Sequence, residues 1–194
     1  MSNTNDRSSA IVAAAYRVLN TNGLAGFSFD AVAKEADLSR QLLRYYYKDL
    51  ESLVLDLADQ LAVPYRDTLL RLVGQGDGKE RLSTFLDFYF DLIEAAPKPR
   101  DDQAYDAVLS YAASSADVKA KLRLQYELLA NVVSHEVQLE YPSLRAEHAN
   151  EIAYLFVVTM YGHWKMAASL GFPEERKTVA RAALERLIRS YLQT

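Results

Sequence analysis

The chain has 194 residues, half of them hydrophobic and a quarter charged, which suits one sizeable core or a small domain joined to a larger one and excludes wholesale disorder. It contains no cysteine, so disulfides, thiolate zinc sites and cysteine redox chemistry are excluded together. The net charge of −4 argues against indiscriminate nucleic-acid binding over the whole surface, yet the first 50 residues hold six basic side chains against five acidic ones, leaving the deficit on the rest.

In chain order, the opening MSNTNDRSS is polar, and the longest uncharged apolar run, IAYLFVVTMYG at 152–162, is too short to cross a bilayer. A cytoplasmic protein without membrane association is the expectation. No segment reads as a strand, and almost every stretch repeats at the helical period, which predicts an all-α fold. Residues 8–21 place Ile11, Ala14, Ala15, Val18 and Leu19 on one face, and Gly23 offers a stop. Ser28 can cap a short helix whose apolar stripe is Phe29, Val32, Ala33 and Ala36. Asp37 follows, a residue type that tolerates the left-handed backbone of a sharp interhelix turn.

Ser39 then caps a third, short helix, SRQLLRYY, on which Arg40, Arg44 and Lys48 would share a face if it continued that far. The neighbours Tyr45, Tyr46 and Tyr47 fan across roughly 200° of helix surface, more than a core-facing stripe occupies, so at least one points outward. Asp49 can cap a long helix over 49–73, inside which Pro64 predicts a kink or a break. Gly74, Gly76 and Gly78 end that segment. Further helices are expected at 79–95, closed by APKPR, near 102–114, near 117–140, closed by Tyr141-Pro142, at 144–170, ended by Gly171 and Pro173, and at 174–192.

Two short helices joined by a tight turn and braced by a preceding helix match a helix-turn-helix unit. The second helix of such a unit enters the DNA major groove, and its first residues here are Ser39, Arg40 and Gln41. Arginine can bind guanine bidentately and glutamine adenine. The pattern is physically generic, and a small helical bundle with a solvated Ser-Arg-Gln corner fits it equally.

The stretch from Ile11 to Leu53 resembles the DNA-binding domain of TetR-family transcriptional regulators. Ile11, Ala14, Ala15, Leu19 and Gly23 stand where that family has its first helix and glycine stop, and Ser28, Val32, Ala33 and Ala36 match its Thr/Ser-x-x-x-Ile-Ala-x-x-Ala segment. Leu38-Ser39 stand at the Val-Ser that begins the recognition helix, and Leu43, Tyr47 and Leu53 match the run containing Tyr-x-x-Phe-x-x-Lys-x-x-Leu. Three positions depart from the family. Its turn glycine is Asp37, its phosphate-contacting tyrosine falls at Arg44, and its lysine at the start of the fourth helix falls at Leu50, which cannot inherit a phosphate contact.

The resemblance implies a helix-turn-helix DNA-binding domain at 1–53 and a helical ligand-sensing and dimerisation domain at 54–194. Ser28, Ser39, Arg40, Gln41, Arg44, Tyr45, Tyr46 and Lys48 are the expected DNA contacts, with Arg44 supplying charge to phosphate and Tyr47 packing the small domain. A homodimer through the last two helices is expected from Ile152, Leu155, Phe156, Val158, Met160, Met166 and Leu170, which surround one helix and should bury it on several sides, and from Val179, Ala183, Leu187, Ile188 and Tyr191 on the other. Aromatic residues with polar tips could line an effector pocket: Tyr89, Tyr105, Tyr111, Tyr126 and Trp164, with Phe85, Met160 and His163 beside them.

Neither a metal nor a cofactor is expected, since no histidine has a glutamate three residues before it and no nucleophile-elbow, phosphate-loop or zinc-protease motif occurs. The leading expectation is a ligand-responsive repressor of operator DNA. The alternative is an interaction protein that keeps the fold but has lost specific DNA binding, because positions 44 and 50 break the family's usual contacts. An enzyme ranks third.

Overall fold

Local capping chemistry sets the first helices, as the computed structural model, which describes residues 2–75 and 80–193, makes plain. Helix α1 (Ser2–Asn22) stops where Gly23 takes φ 62. Helix α2 (Phe29–Glu35) starts at Ser28, whose hydroxyl accepts from the Ala31 N–H. Asp37 supplies the left-handed turn at φ 54, and Ser39 caps α3 (Arg40–Tyr46) by accepting from Leu42 N–H. Asp49 does the same for α4 (Leu50–Gln75), taking the Ser52 N–H at 2.8 Å. That bond, with the Ser52 hydroxyl and Lys48 acting the same way against a smaller desolvation effect, holds the Asp49 carboxyl below the usual range.

The remaining helices are α5 (Arg81–Tyr89), α6 (Asp102–Ala112), α7 (Ala116–Glu140), α8 (Ala146–Trp164) and α9 (Lys177–Leu192). There is no strand among the described residues, and the fold is all-α. No helix among them is long and apolar enough to cross a membrane. The chain divides into two compact units, Met1–Val63 with Asp101–Arg123, and Pro64–Arg100 with Leu124–Thr194.

In the first unit the core is mainly aliphatic: Ile11, Leu19, Val32, Leu43, Leu53 and Val108 are all but fully buried. Segment 101–123 is built into this unit by polar ties as well. Ser115 is buried, caps α7 through Val118 N–H and binds the Glu51 carboxylate, while Lys121 pairs with Asp59 at 2.7 Å. The second unit has an aromatic core in which Phe88, Phe90 and Phe156 are fully buried and Tyr89 meets Phe85, Phe88 and Phe156.

Several expected boundaries change. Pro64 does not break α4, which runs continuously from Leu50 to Gln75. Leu57, Ala58 and Leu61 before the proline lie in the first core and Tyr65, Leu69 and Leu72 after it pack on the second, and that burial outweighs one lost helix bond. Gly76, Gly78 and residue 79 lie outside the described residues.

Helix α5 ends at Tyr89 rather than 95. Asp91 is left-handed at φ 55, Leu92 N–H returns to Asp87 O, and the Asp91 carboxylate accepts from Lys98 N–H at 2.7 Å and pairs with Arg100 at 3.1 Å. Those bonds close the helix and pin the loop behind it, and none was visible in hydrophobic period. Helix α8 gives way after Trp164 to a π-helical turn over Lys165–Ser169, whose exit has Phe172 N–H on Met166 O and Gly171 at φ 68. Within the chain α8 is buried on one side only: Ile152, Phe156 and Met160 face inward, whereas Tyr154 and Val158 are exposed, as is Met166 in the turn behind it.

Candidate DNA-reading face and effector site

Helix α3 is held from below by Leu43, which has no exposed surface, and by Tyr47 just past its end. The Tyr47 hydroxyl donates to Asp56 at 2.8 Å and meets the Ser8 hydroxyl at 2.8 Å, tying α1, the end of α3 and α4 together. Burial, opposed by the Ser8 bond and reinforced by Asp56, pushes that phenol up to about 12. With Leu43 and Tyr47 fixed inward, the helix period turns Arg40, Gln41 and Arg44 outward, where they line an open, shallow concavity.

The Arg40 guanidinium meets Asp30 on α2 at 3.2 Å, with both side chains more than half exposed. That of Arg44 lies 5.8 Å from the Phe29 ring centroid. Tyr45 is 80% exposed; Tyr46 meets it edge-on at 5.4 Å and packs partly on the first core. Ser28 and Ser39 are exposed caps. Lys48 does not extend the Arg40–Arg44 row, because α3 has ended at Tyr46; it is exposed beside Asp49 at 3.7 Å. Leu50 is half-buried against the first core. Among these residues, Asp30 was missed by the sequence reading, and its only signal was its place in the first turn of α2.

The candidate effector residues divide between the units. Tyr105 and Tyr111 belong to the first and pack partly on its core. The second brings the other six together. Phe85, Tyr89, Met160 and Trp164 are buried in one cluster. His163 meets Trp164 edge-on with centroids 4.9 Å apart, and Tyr126 meets Tyr161 edge-on at 6.1 Å. Burial, with a smaller effect from Tyr126, pushes the Tyr89 phenol well up.

The Trp164 indole N–H donates to Tyr89 O at 2.9 Å. His163 Nε2 is buried and has no hydrogen-bond partner among the described residues, and desolvation lowers its pKa from 6.5. The sequence reading missed Tyr65, Asp91 and Lys98 here. Lys98 sits in a Pro-flanked loop, where nothing in composition distinguishes a buried lysine from a solvated one. Among the described residues no group of three or more histidine, aspartate and glutamate side chains could hold a metal ion.

Residues 11–57 match the family model described as bacterial regulatory proteins, tetR family. The HTH-type transcriptional regulator BetI of Escherichia coli O17:K52:H18 (strain UMN026 / ExPEC) is 26% identical over 191 residues, covering 95% of this chain and 93% of that protein. The protein of that name from Klebsiella pneumoniae (strain 342) is 28% identical over 193 residues, covering 94% and 92%. Among solved structures, a TetR transcription regulator from Haloarcula marismortui ATCC 43049 superposes with a TM-score of 0.78 at 19% identity over 96% of this chain and 98% of that one. A transcriptional regulator from Saccharomonospora viridis, solved in complex with choline, gives 0.76 at 15% identity over 95% and 96%.

Proposed function

We propose, since this chain belongs to the TetR family of bacterial transcriptional regulators, that it is a repressor whose α3 reads an operator and whose second unit releases it on binding a small molecule. The observation that carries the reading is the outward row of Arg40, Gln41 and Arg44 on a helix locked by Leu43 and Tyr47. Arg40 and Gln41, in the first turn, are placed for base edges, and Arg44, one turn on, for phosphate. Ser28, Ser39, Tyr45, Tyr46 and Lys48 supply the surrounding backbone contacts. Residues 1–53 form the reader; 54–194 sense and dimerise.

The exposed apolar side chains of α8 and α9, with Tyr154 at 66% and Val179 at 62%, suit burial against a second copy. A dimer would set two α3 helices against successive major grooves about 34 Å apart. The effector would gain its leverage from differential affinity for the DNA-competent state and its alternative, meeting Phe85, Tyr89, Tyr126, Met160, His163 and Trp164. Small organic cations belong among the compounds to test, since the Saccharomonospora viridis protein holds choline. Such a protein works by binding rather than turnover, in the cytoplasm beside the chromosome.

The test is selection from a random duplex library, followed by titration of the enriched sequence at two salt concentrations. A two-fold-related site bound far above scrambled DNA is the expected result. No enrichment from folded, ligand-free protein overturns the reading and leaves an interaction protein on the same fold.

A further inference from the structure

The two arginines that α3 turns outward are held from α2 in different ways. Arg40 donates from Nη1 to Asp30 Oδ2 at 3.2 Å, and its guanidinium makes no other hydrogen bond among the described residues. Arg44 has no carboxylate partner among them. Its guanidinium lies 5.8 Å from the Phe29 ring centroid, a contact with the ring face that leaves the in-plane N–H groups unused. Phe29 and Asp30 are neighbours at the start of α2, and Asp30 is exposed beside the outward row. A carboxylate in that place repels phosphate, so a surface that meets DNA carries it at a cost. An exposed ion pair adds little to stability, which therefore does not account for it. The first turn of α2 suits an acidic side chain but does not explain the arginine facing it.

We infer that Asp30 is a positioning residue that sets the specificity of Arg40, holding it for guanine and away from phosphate. The inference rests on the reading of α3 as the operator reader. With Nη1 engaged, the free edge of the Arg40 guanidinium carries Nε–H and Nη2–H side by side. Two parallel donors match the O6 and N7 acceptors of guanine, whereas adenine sets its N6 donor against one of them. The pair with Asp30 persists in that pose, since the edge turned to the base is not the one Asp30 uses. A phosphate contact is disfavoured, because it brings a second anion close to the carboxylate. Arg44 lacks such a carboxylate and keeps its N–H groups for phosphate. Asp30 and Phe29 thereby sort two arginines on one helix face into a base reader and a backbone contact.

The experiment takes the operator selected by the wild-type chain, replaces each base pair of one half-site in turn, and runs competition titrations at two salt concentrations. Wild type, Asp30→Asn, Asp30→Ser, Arg40→Ala and the Asp30→Asn/Arg40→Ala double variant are compared, with far-UV circular dichroism as the check on folding. Arg40→Ala identifies the guanine that Arg40 reads. At that base pair both Asp30 variants should lose about threefold in preference, the size of one exposed ion pair. Their binding to scrambled DNA should tighten, with a salt slope steeper by about 0.9 as Arg40 moves to a phosphate. In the Arg40→Ala background, Asp30→Asn should leave the preference at that pair where Arg40→Ala put it. A lost helix-start charge alone would alter stability and leave base preference untouched. Unchanged preference in folded Asp30 variants, a loss at a different base pair, or an equal loss with Arg40 absent overturns the proposal. Such a result with an enriched operator removes the role of Asp30 alone, whereas no enrichment by wild type removes the operator reader and this role together.

Discussion

The first unit sets caps and surface pairs around a mainly aliphatic core in which Ser115 and Asp101 are also buried, whereas the second places a lysine ammonium and a buried imidazole nitrogen against aromatic rings. An aliphatic core in fixed rotamers leaves one arrangement for the helices above it. A core with an orphan imidazole nitrogen has hydrogen-bonding capacity left to satisfy. The contrast separates a unit that presents side chains outward from one whose interior keeps an unused hydrogen-bonding nitrogen.

The comparison breaks most sharply at Leu43. Its side chain has no exposed surface, and cutting it to alanine should cost about 2–5 kcal/mol through lost transfer energy and the cavity left behind. Urea denaturation followed by far-UV circular dichroism measures this, and operator affinity should fall with it. A loss below about 1 kcal/mol would mean that α3 is not fixed by packing beneath it.

Smaller effects distinguish the residues that α3 presents. Arg40→Ala should cost about 1–3 kcal/mol of discrimination at a single base pair, because a bidentate base contact is lost. Arg44→Ala should weaken binding to every sequence alike and lower the salt slope by about 1, the signature of one phosphate contact. Competition against operator variants at two salt concentrations checks both. If the two variants exchange these signatures, the reading order along α3 is reversed. Asp30 enters here as well, since its pairing with Arg40 at 3.2 Å must be kept or released as the arginine meets DNA.

Much of the first unit was legible in the sequence because its signals are local. Ser28, Ser39, Asp37 and Asp49 each act within three residues of themselves, and the stripes of α1 and α2 follow one period. Tyr47 was readable as core from the family motif, but its partners Ser8 and Asp56 lie 39 and 9 residues away and leave no spacing to detect. The second unit is held by longer reaches: Trp164 to Tyr89, Lys177 to Asp91 and Arg181 to Asp87 each cross more than seventy residues. Helical period located those helices but could not place their ends, since Asp91 closes α5 through a left-handed turn and carboxylate bonds to Lys98 N–H and Arg100, seven and nine residues on, which have no period. It likewise showed a set of aromatic residues without showing that Tyr105 and Tyr111 pack in a different unit from Trp164.

The finest test of the contrast is acid. Desolvation holds the His163 imidazole below its ordinary 6.5, opposed by Glu174 and helped by Lys177 and Lys98. The unfolded chain therefore takes up a proton at this residue before the folded one does, and stability falls as pH drops below 6.5 until the folded imidazole also titrates, after which this contribution is constant. At pH 7 the residue is mostly neutral in both states and contributes little dependence. Urea midpoints for wild type and His163→Gln at pH 7 and pH 5.5 isolate the effect, because glutamine cannot titrate and carboxylates elsewhere are common to both proteins. Wild type should lose more stability than the variant over that interval, and Trp164 emission should shift with it through the ring that meets the indole edge-on. Equal losses would mean that water reaches His163 freely in the folded chain. The interior of the second unit would then lack the desolvation that disfavours the charged imidazole.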